Sequence, residues 1–417
     1  MTEVQPDLTL QAAEAALGHI HHIAGEIGPR PVGSEGERAA ARYVHKKLTT
    51  AGLTDAMWQE FTAPRSEWMP FALAAAVALV GVGLWMLLRQ SLVGAYLGAL
   101  GLGFGLWEVY AKLNFGWSPL SGLVLRSQSQ NVVASVQPTE GTGRNAVLFA
   151  HLDSQRTPLF FRSHTALRIF FIFLYLTLAV LLLTLIAFVV SWFAEVTLPQ
   201  WAGAPALVLA TVAVVAMVHA ELTPYSIGAN DNASAVGVSL EVARHFRSHP
   251  LRHTRLWFVF TGAEETGCHG AAAFLSSQGD QLLQAYAVAL EGVGICPPAY
   301  TSREGILGSY RSNGDLLRLL ERLERNRPHL GLRRVALRGG YTEAGTAIRR
   351  GYRSVALVGL DERGDLPYWH TREDTPDKVQ REALAATFET IVSLLEALDE
   401  LPVSIKLSGV KPLSERG

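Results

Sequence analysis

The sequence predicts an α/β layered fold interrupted by transmembrane helices. Three observations predict it. Short β-branched or aliphatic runs alternate with amphipathic helical stretches, the pattern of strands layered against helices. Four long uncharged apolar segments divide that alternation. Three of the strand-like runs end in side chains able to bind a metal.

Taken in order, Ser34-Glu-Gly-Glu opens a helix running through Leu53, with Ser34 as N-cap and Glu37 completing a capping box. The first apolar pair follows, Met69–Leu88 and Ser91–Trp107. Gln130–Val136 and Arg144–Ala150 read as strands. The second apolar pair is Ile169–Ala194 and Trp201–Val218. Beyond it come a helix at Ala233–Phe246, strands at Arg255–Thr261, Ala285–Leu290 and Ser354–Leu360, and helices at Gly314–Arg325 and Arg381–Leu398.

A helix needs roughly 17–25 apolar residues to cross a bilayer. Each pair reads as a transmembrane hairpin with Trp68, Trp107, Trp192 and Trp201 at its ends, where tryptophan favours the membrane interface. Gly94 with Gly98, and Gly101 with Gly105, form frames of small residues that let helices approach closely. The whole chain has 49% hydrophobic residues and a mean hydropathy of +0.20, with the excess concentrated in these segments.

Charge is nearly balanced, 36 Lys+Arg against 37 Asp+Glu, so no basic surface is offered to nucleic acid. Two cysteines, Cys268 and Cys296, exclude a disulfide framework. The first thirty or so residues lack the pattern of a signal peptide. His19, His21 and His22 have no metal spacing and read as solvated helix surface.

In α/β sheets, chemistry gathers at the carboxyl ends of strands. Arg144–Ala150 delivers His151 and Asp153 in HLDS; Arg255–Thr261 delivers Glu264 and Glu265 in GAEETG; Ala285–Leu290 delivers Glu291 in EGVG. GANDNAS adds Asp231 in a turn before a helix, and YWHTREDTPDKV adds His370 in a loop before the last long helix. Two histidines and three carboxylates (His151, His370, Asp231, Glu265, Glu291) suit zinc. Five donors exceed the need of one tetrahedral ion, and two ions bridged by one carboxylate would use them all.

Read together, the motifs HLDS, GANDNAS, GAEETG, LEGVG and WHTREDTPDKV, with GPRPVGSEGERAAARYVHKKLTTAGL upstream, resemble the aminopeptidase Y family of co-catalytic zinc peptidases. Relatives of that family include glutamate carboxypeptidase, glutaminyl cyclase and the transferrin receptor. The resemblance implies a zinc exopeptidase-like fold, a central mixed β-sheet flanked by helices. It implies Asp231 as the bridge between two zinc ions, His151 and Glu291 on one ion, and Glu265 and His370 on the other. Glu264 becomes the general base for metal-bound water, and Asp153 the group that orients His151. The neighbouring glutamates can do different work because adjacent side chains of an extended stretch diverge.

One departure stands out. Glu291 occupies a position where the family usually has aspartate, which keeps a single zinc ion open as an alternative. Tyr341, in GGYTEAG, is the nearest candidate for a residue contacting substrate or the transition state. The implied activity is a membrane-embedded zinc aminopeptidase that removes N-terminal residues from peptides. A glutaminyl-cyclase-like acyltransferase with one zinc, or a catalytically silent binding protein, are the alternatives. The expected partners are a peptide substrate and the lipid bilayer.

About 80 residues separate HLDS from GANDNAS, far more than a loop needs. The hairpins therefore read as insertions into one peptidase domain: segments 1–67, 112–164 and 220–417, with hairpins at 68–111 and 165–219. The second hairpin leaves soon after HLDS, so the site is expected to open toward the lipid surface. Arg65, Lys112, Arg162 and Arg168 against Arg89 favour a cytoplasmic catalytic domain.

Overall fold

In the computed structural model, residues 6–88, 91–194, 198–282 and 284–402 are described. Arg89, at the tip of the first hairpin, lies outside them. The chain divides into two compact units. One takes the residues up to Ala63, Ser127–Gln155 and those from Tyr225 onward; the other takes Pro64–Arg126 and Arg156–Pro224.

The first unit is built on an eight-stranded mixed sheet. Its strands are β1 Met57–Pro64, β2 Arg126–Val136, β3 Arg144–His151, β4 Thr254–Thr261, β5 Tyr286–Glu291, β6 Ala299–Thr301, β7 Arg333–Val335 and β8 Arg353–Val358. The spatial order is β1-β2-β4-β3-β5-β8-β6-β7. The centre of the sheet, β4-β3-β5-β8, is parallel, while β2 runs antiparallel to β4 and β6 antiparallel to β8. Strands buried on both faces read as unbroken apolar runs, which is why NAVLFA and RLWFVF show no polar alternation.

Successive residues of these strands feed two cores. Ala146, Leu148 and Ala150 of β3 join Leu256, Phe258 and Phe260 of β4 on one face. There they meet helices Pro6–Ile20, Ala235–Ser248 and Arg381–Asp399. Val147 and Phe149 join Trp257 and Val259 on the other face, against His269–Gln278 and Glu343–Arg349. Contrary to the solvated surface expected of it, His19 is buried, with Nδ1 2.7 Å from the Tyr43 hydroxyl and Nε2 3.1 Å from Glu241. The last turn of its helix faces the core helix carrying Glu241, a long-range packing that local sequence does not record.

Among the described residues, the second unit contains four helices long and apolar enough to cross a membrane: Trp68–Leu87, Leu92–Leu113, His164–Phe193 and Trp201–Leu222. The predicted small-residue frame has a direct consequence. A Cβ on Gly101 would fall 2.8 Å from the Gly81 Cα, and one on Gly105 2.7 Å from the Ala74 carbonyl oxygen. The first two helices therefore meet backbone to backbone. Trp85 stacks on Phe188 at 4.3 Å in the interior of the unit. Trp107, Trp192 and Trp201 are exposed, whereas Trp68 is buried edge-on against Phe160.

His164–Phe193 and Leu92–Leu113 both extend beyond their apolar runs. Ser163 caps His164–Phe193 by accepting from the Ala166 amide, adding a turn before Ile169. Leu92–Leu113 continues past Trp107 because its charged residues find partners. Glu108 accepts from the Ser118 hydroxyl and the Leu120 amide, and Lys112 pairs with Glu67 at 2.7 Å. Burying such charges without partners would be prohibitive.

Candidate metal centre

Three adjacent parallel strands bring the predicted residues together. His151 ends β3 and lies in register with Thr261 of β4, and Glu291 ends β5 on the other side of β3. Glu264 and Glu265 follow β4 in a tight turn in which the Gly267 and Cys268 amides donate to the Glu264 carbonyl. Gly262 permits that turn: a Cβ there would lie 2.3 Å from the Ser129 hydroxyl and 2.6 Å from the Gln130 carbonyl oxygen.

The turn is held by two buried carboxylates. Asp153 accepts the Glu264 amide at 3.1 Å and the Glu265 amide at 3.0 Å. Glu37 accepts the Ala263 amide and the Ser129 hydroxyl, and also the Gly33 amide. Ser34 caps its helix as the sequence predicts, but Glu37 bonds one residue before the cap and is shared with the site. Asp153 thus works mainly through the glutamate turn. Its carbonyl oxygen, 3.1 Å from His151 Nδ1, holds the imidazole, while its Oδ1 stands 3.6 Å away.

Asp231 lies in the turn Ala229–Ser234, whose amides are fixed by Asp374: Asn230 donates at 2.6 Å and Asp231 at 3.1 Å. Asn232 donates to the Leu290 carbonyl and accepts from the Gly292 amide, locking this turn to the loop after β5. Fully buried and so engaged, Asn232 is not presented for glycosylation.

The two oxygens of Asp231 point to different histidines. Oδ1 is 3.1 Å from His151 Nε2, and Oδ2 is 3.3 Å from His370 Nε2. Glu291 Oε1 lies 3.5 Å from His151 Nε2, and Glu265 Oε2 lies 3.2 Å from His370 Nε2. One carboxylate therefore stands between a His151–Glu291 pair and a His370–Glu265 pair. Glu264 directs Oε2 to within 4.0 Å of His151 Nε2, while its Oε1 accepts from the Cys268 thiol at 3.0 Å.

The electrostatics are those of crowded carboxylates around two bases. Burial alone would lower both histidines, yet Glu291, Asp153 and Asp231 raise His151 well above its usual range. Burial is likewise overcome at His370, which Glu265 and Asp231 lift to about 10. Burial opposes ionisation of Asp231, but the hydrogen bonds from both histidines hold it well below the usual carboxylate range. Burial pushes Glu264, Glu265 and Glu291 up, Glu264 and Glu291 strongly. Protons on the histidines here supply the positive charge that a dication would replace.

The donors fit zinc. Ligand atoms of His151, Asp231 and Glu265 lie within 4.8 Å of one another. Glu265 Oε1 and Glu291 Oε2 are buried without a hydrogen-bond partner. Buried carboxylate oxygens are costly in that state, and a cation satisfies them. Mixed imidazole and carboxylate donors match zinc's preferences.

Tyr341 is half-buried in the turn before Thr342, the N-cap of Glu343–Arg349. The same motif also delivers Glu343, buried and accepting from Thr261 at 2.8 Å. Its charge acts on Glu264 and Glu291. No role was legible for Glu343, Asp374, Cys268 or Arg30, although three of them lie within the quoted motifs and Cys268 directly follows GAEETG.

Residues 210–395 match the sequence profile of peptidase family M28. The matched stretch is less than half of the chain. It contains Asp231, Glu264, Glu265, Glu291 and His370; the fold supplies His151 from the preceding segment. Among solved structures, the chain resembles BSAP, a zinc aminopeptidase from Bacillus subtilis. Identity is 15%, the TM-score is 0.56, and 94% of this chain and 97% of that one are covered. It also resembles a Tannerella forsythia glutaminyl cyclase at 16% identity and TM-score 0.52, covering 92% and 98%. The LapA aminopeptidase of Legionella pneumophila aligns at 13% identity and TM-score 0.52, covering 96% and 78%. These likenesses establish the zinc exopeptidase-like fold. No curated protein sequence matches the chain.

Proposed function

We propose that the protein is a membrane-embedded, zinc-dependent aminopeptidase that hydrolyses N-terminal residues from peptides. The single observation carrying this reading is Asp231, whose two oxygens face two separate imidazole–carboxylate pairs. In this reading His151, Asp231 and Glu291 would hold one zinc ion, and Asp231, Glu265 and His370 would hold the other. Zinc bound there supplies Lewis acidity, which polarises a scissile carbonyl and lowers the pKa of water.

The chain's own residues do the rest. Glu264, with Oε2 toward the ligand cluster, takes the proton from the attacking water and returns it to the departing amine. The Cys268 thiol on Oε1 keeps the other oxygen free for that task. Asp153 fixes the backbone of both glutamates, so base and ligand cannot move independently. The four apolar helices support membrane embedding by length and composition.

Glutaminyl-cyclase chemistry is the second reading, favoured by the cyclase among the similar structures and by the longer Glu291 side chain. The deciding experiment incubates detergent-purified, zinc-loaded protein with peptides bearing free, acetylated or glutamine N-termini, with Glu264→Ala as control. Stepwise loss of residues from free N-termini alone, absent from the variant, is expected. Loss of ammonia from N-terminal glutamine without hydrolysis would replace the aminopeptidase reading with the cyclase one. No reaction with any peptide would leave a binding role.

A further inference from the structure

Arg30, from the upstream stretch GPRPVGS, is fully buried. Among the described residues it makes no ion pair. Its guanidinium instead donates to backbone carbonyls of three separate segments. Nε reaches the Leu152 oxygen at 2.6 Å; Nη1 reaches Gly28 at 2.8 Å, Ile227 at 2.5 Å and Ile23 at 3.4 Å; Nη2 reaches Gly228 at 2.9 Å. Its backbone is tied in as well: the Arg30 amide donates to Ser154 Oγ, and the Ser154 amide to the Arg30 carbonyl. Ser154 Oγ in turn donates to the Ser226 carbonyl at 2.9 Å.

Those carbonyls belong to the loops that carry the ligands. Leu152 lies between His151 and Asp153; Ile227 and Gly228 open the turn that carries Asp231. Gly228 must be glycine, since it has φ +59 and a Cβ would lie 2.8 Å from Arg30 Nη2 and 2.3 Å from the Asp231 carbonyl oxygen. The Asp231 turn is thus suspended between opposite charges. Arg30 takes its carbonyls on one flank, and Asp374 takes its amides at Asn230 and Asp231 on the other. A planar fork with five donors can join several backbone segments at once, which an ammonium cannot reproduce.

We propose that Arg30 is a positioning residue for the metal centre: its guanidinium sets the spacing of His151 and Asp231 by clamping the backbones that carry them. This rests on the zinc reading above. Arg30 touches neither metal nor substrate. Its buried positive charge also offsets the surplus of carboxylates around the cluster.

The test measures zinc affinity by chelator competition in detergent for wild type, Arg30→Lys and Ser154→Ala. Circular dichroism and the unfolding midpoint of each zinc-free protein are recorded alongside. Loss of a group that holds a metal ligand typically weakens affinity about 10–100-fold. Arg30→Lys is expected to fall in that range with secondary structure intact, and Ser154→Ala to lose at least about threefold. The zinc-induced rise in unfolding midpoint shrinks in parallel, a readout that a generally destabilised fold does not produce. Wild-type affinity in folded Arg30→Lys overturns the proposal. If that variant does not fold, wild-type affinity in Ser154→Ala overturns it. Absence of zinc binding by the wild type itself overturns the metal reading instead.

Discussion

Asp231 and Glu291 can be separated by what their loss does to bound zinc. Asp231 stands between both histidines, so its removal strips the whole centre, whereas Glu291 approaches only His151. Glu291 is one methylene longer than aspartate, and its loop is pinned by Asn232 at the Leu290 carbonyl and the Gly292 amide. The extra length therefore pushes the carboxylate toward His151 rather than moving the strand. On the proposed two-ion reading, Glu291→Ala is expected to reduce zinc from two ions per chain to one, measured on dialysed protein, with the His370–Glu265 ion retained. Glu264→Gln should keep both ions and lose about 10²–10⁴-fold in kcat, with KM little changed. Loss of metal from Glu264→Gln would show that Glu264 is a ligand and not the base.

At the scale of elements, Glu304 shows how a short helix is held next to the site. Its carboxylate accepts the Thr342 amide and hydroxyl at the N-terminus of Glu343–Arg349, the helix that carries Glu343. Burial raises Glu304 to about 7, against the hydrogen bonds that favour its charged form. A carboxyl raised on folding contributes fully below its unfolded value of 4.5, and that contribution is lost as pH rises through about 7. Glu304→Gln removes the titration. The variant should therefore gain about 1–3 kcal/mol relative to wild type between pH 5 and pH 8, read from unfolding midpoints. An unchanged difference between the two pH values would mean that Glu304 is not held protonated.

Elements of this kind divide into those that the sequence announces and those that it does not. Strand ends were legible because β3, β4 and β5 are apolar runs that stop abruptly at His151, Glu264 and Glu291, a change visible over a few residues. Ser34 was legible because its cap is local. Arg30, Asp374 and Glu37 were not, because each serves backbone groups brought from more than a hundred residues away, and in sequence they resemble surface charges. Trp68 failed for a related reason: an apolar helix end predicts an interface tryptophan, but Phe160 and Phe161, just before the third apolar helix, cover it.

For the whole molecule, if the apolar helices cross a membrane as proposed, the decisive constraint is the parity of crossings. Each inserted hairpin leaves and re-enters the same layered domain, so strands β1 through β5 can form one sheet only if both hairpins return the chain to one side. Basic residues on that side are Arg65, Lys112, Arg162 and Arg168, of which Lys112 is neutralised by Glu67. On the membrane-embedded proposal, the remaining excess predicts a cytoplasmic catalytic domain, because lysine and arginine near the spans set orientation. Single cysteines test this in a Cys296→Ser background, where the remaining Cys268 is buried. Thr142→Cys and Arg363→Cys, both exposed on the sheet-bearing unit, should react with an impermeant maleimide only from the cytoplasmic face of sealed vesicles. Leu88→Cys, at the end of the first apolar helix, should react only from the opposite face. Labelling of Thr142 and Arg363 from opposite faces would break the parity argument, and with it the hairpin reading. Labelling of both from the outer face would reverse the orientation, moving the proposed peptide substrates to the other side of the membrane while leaving the fold intact.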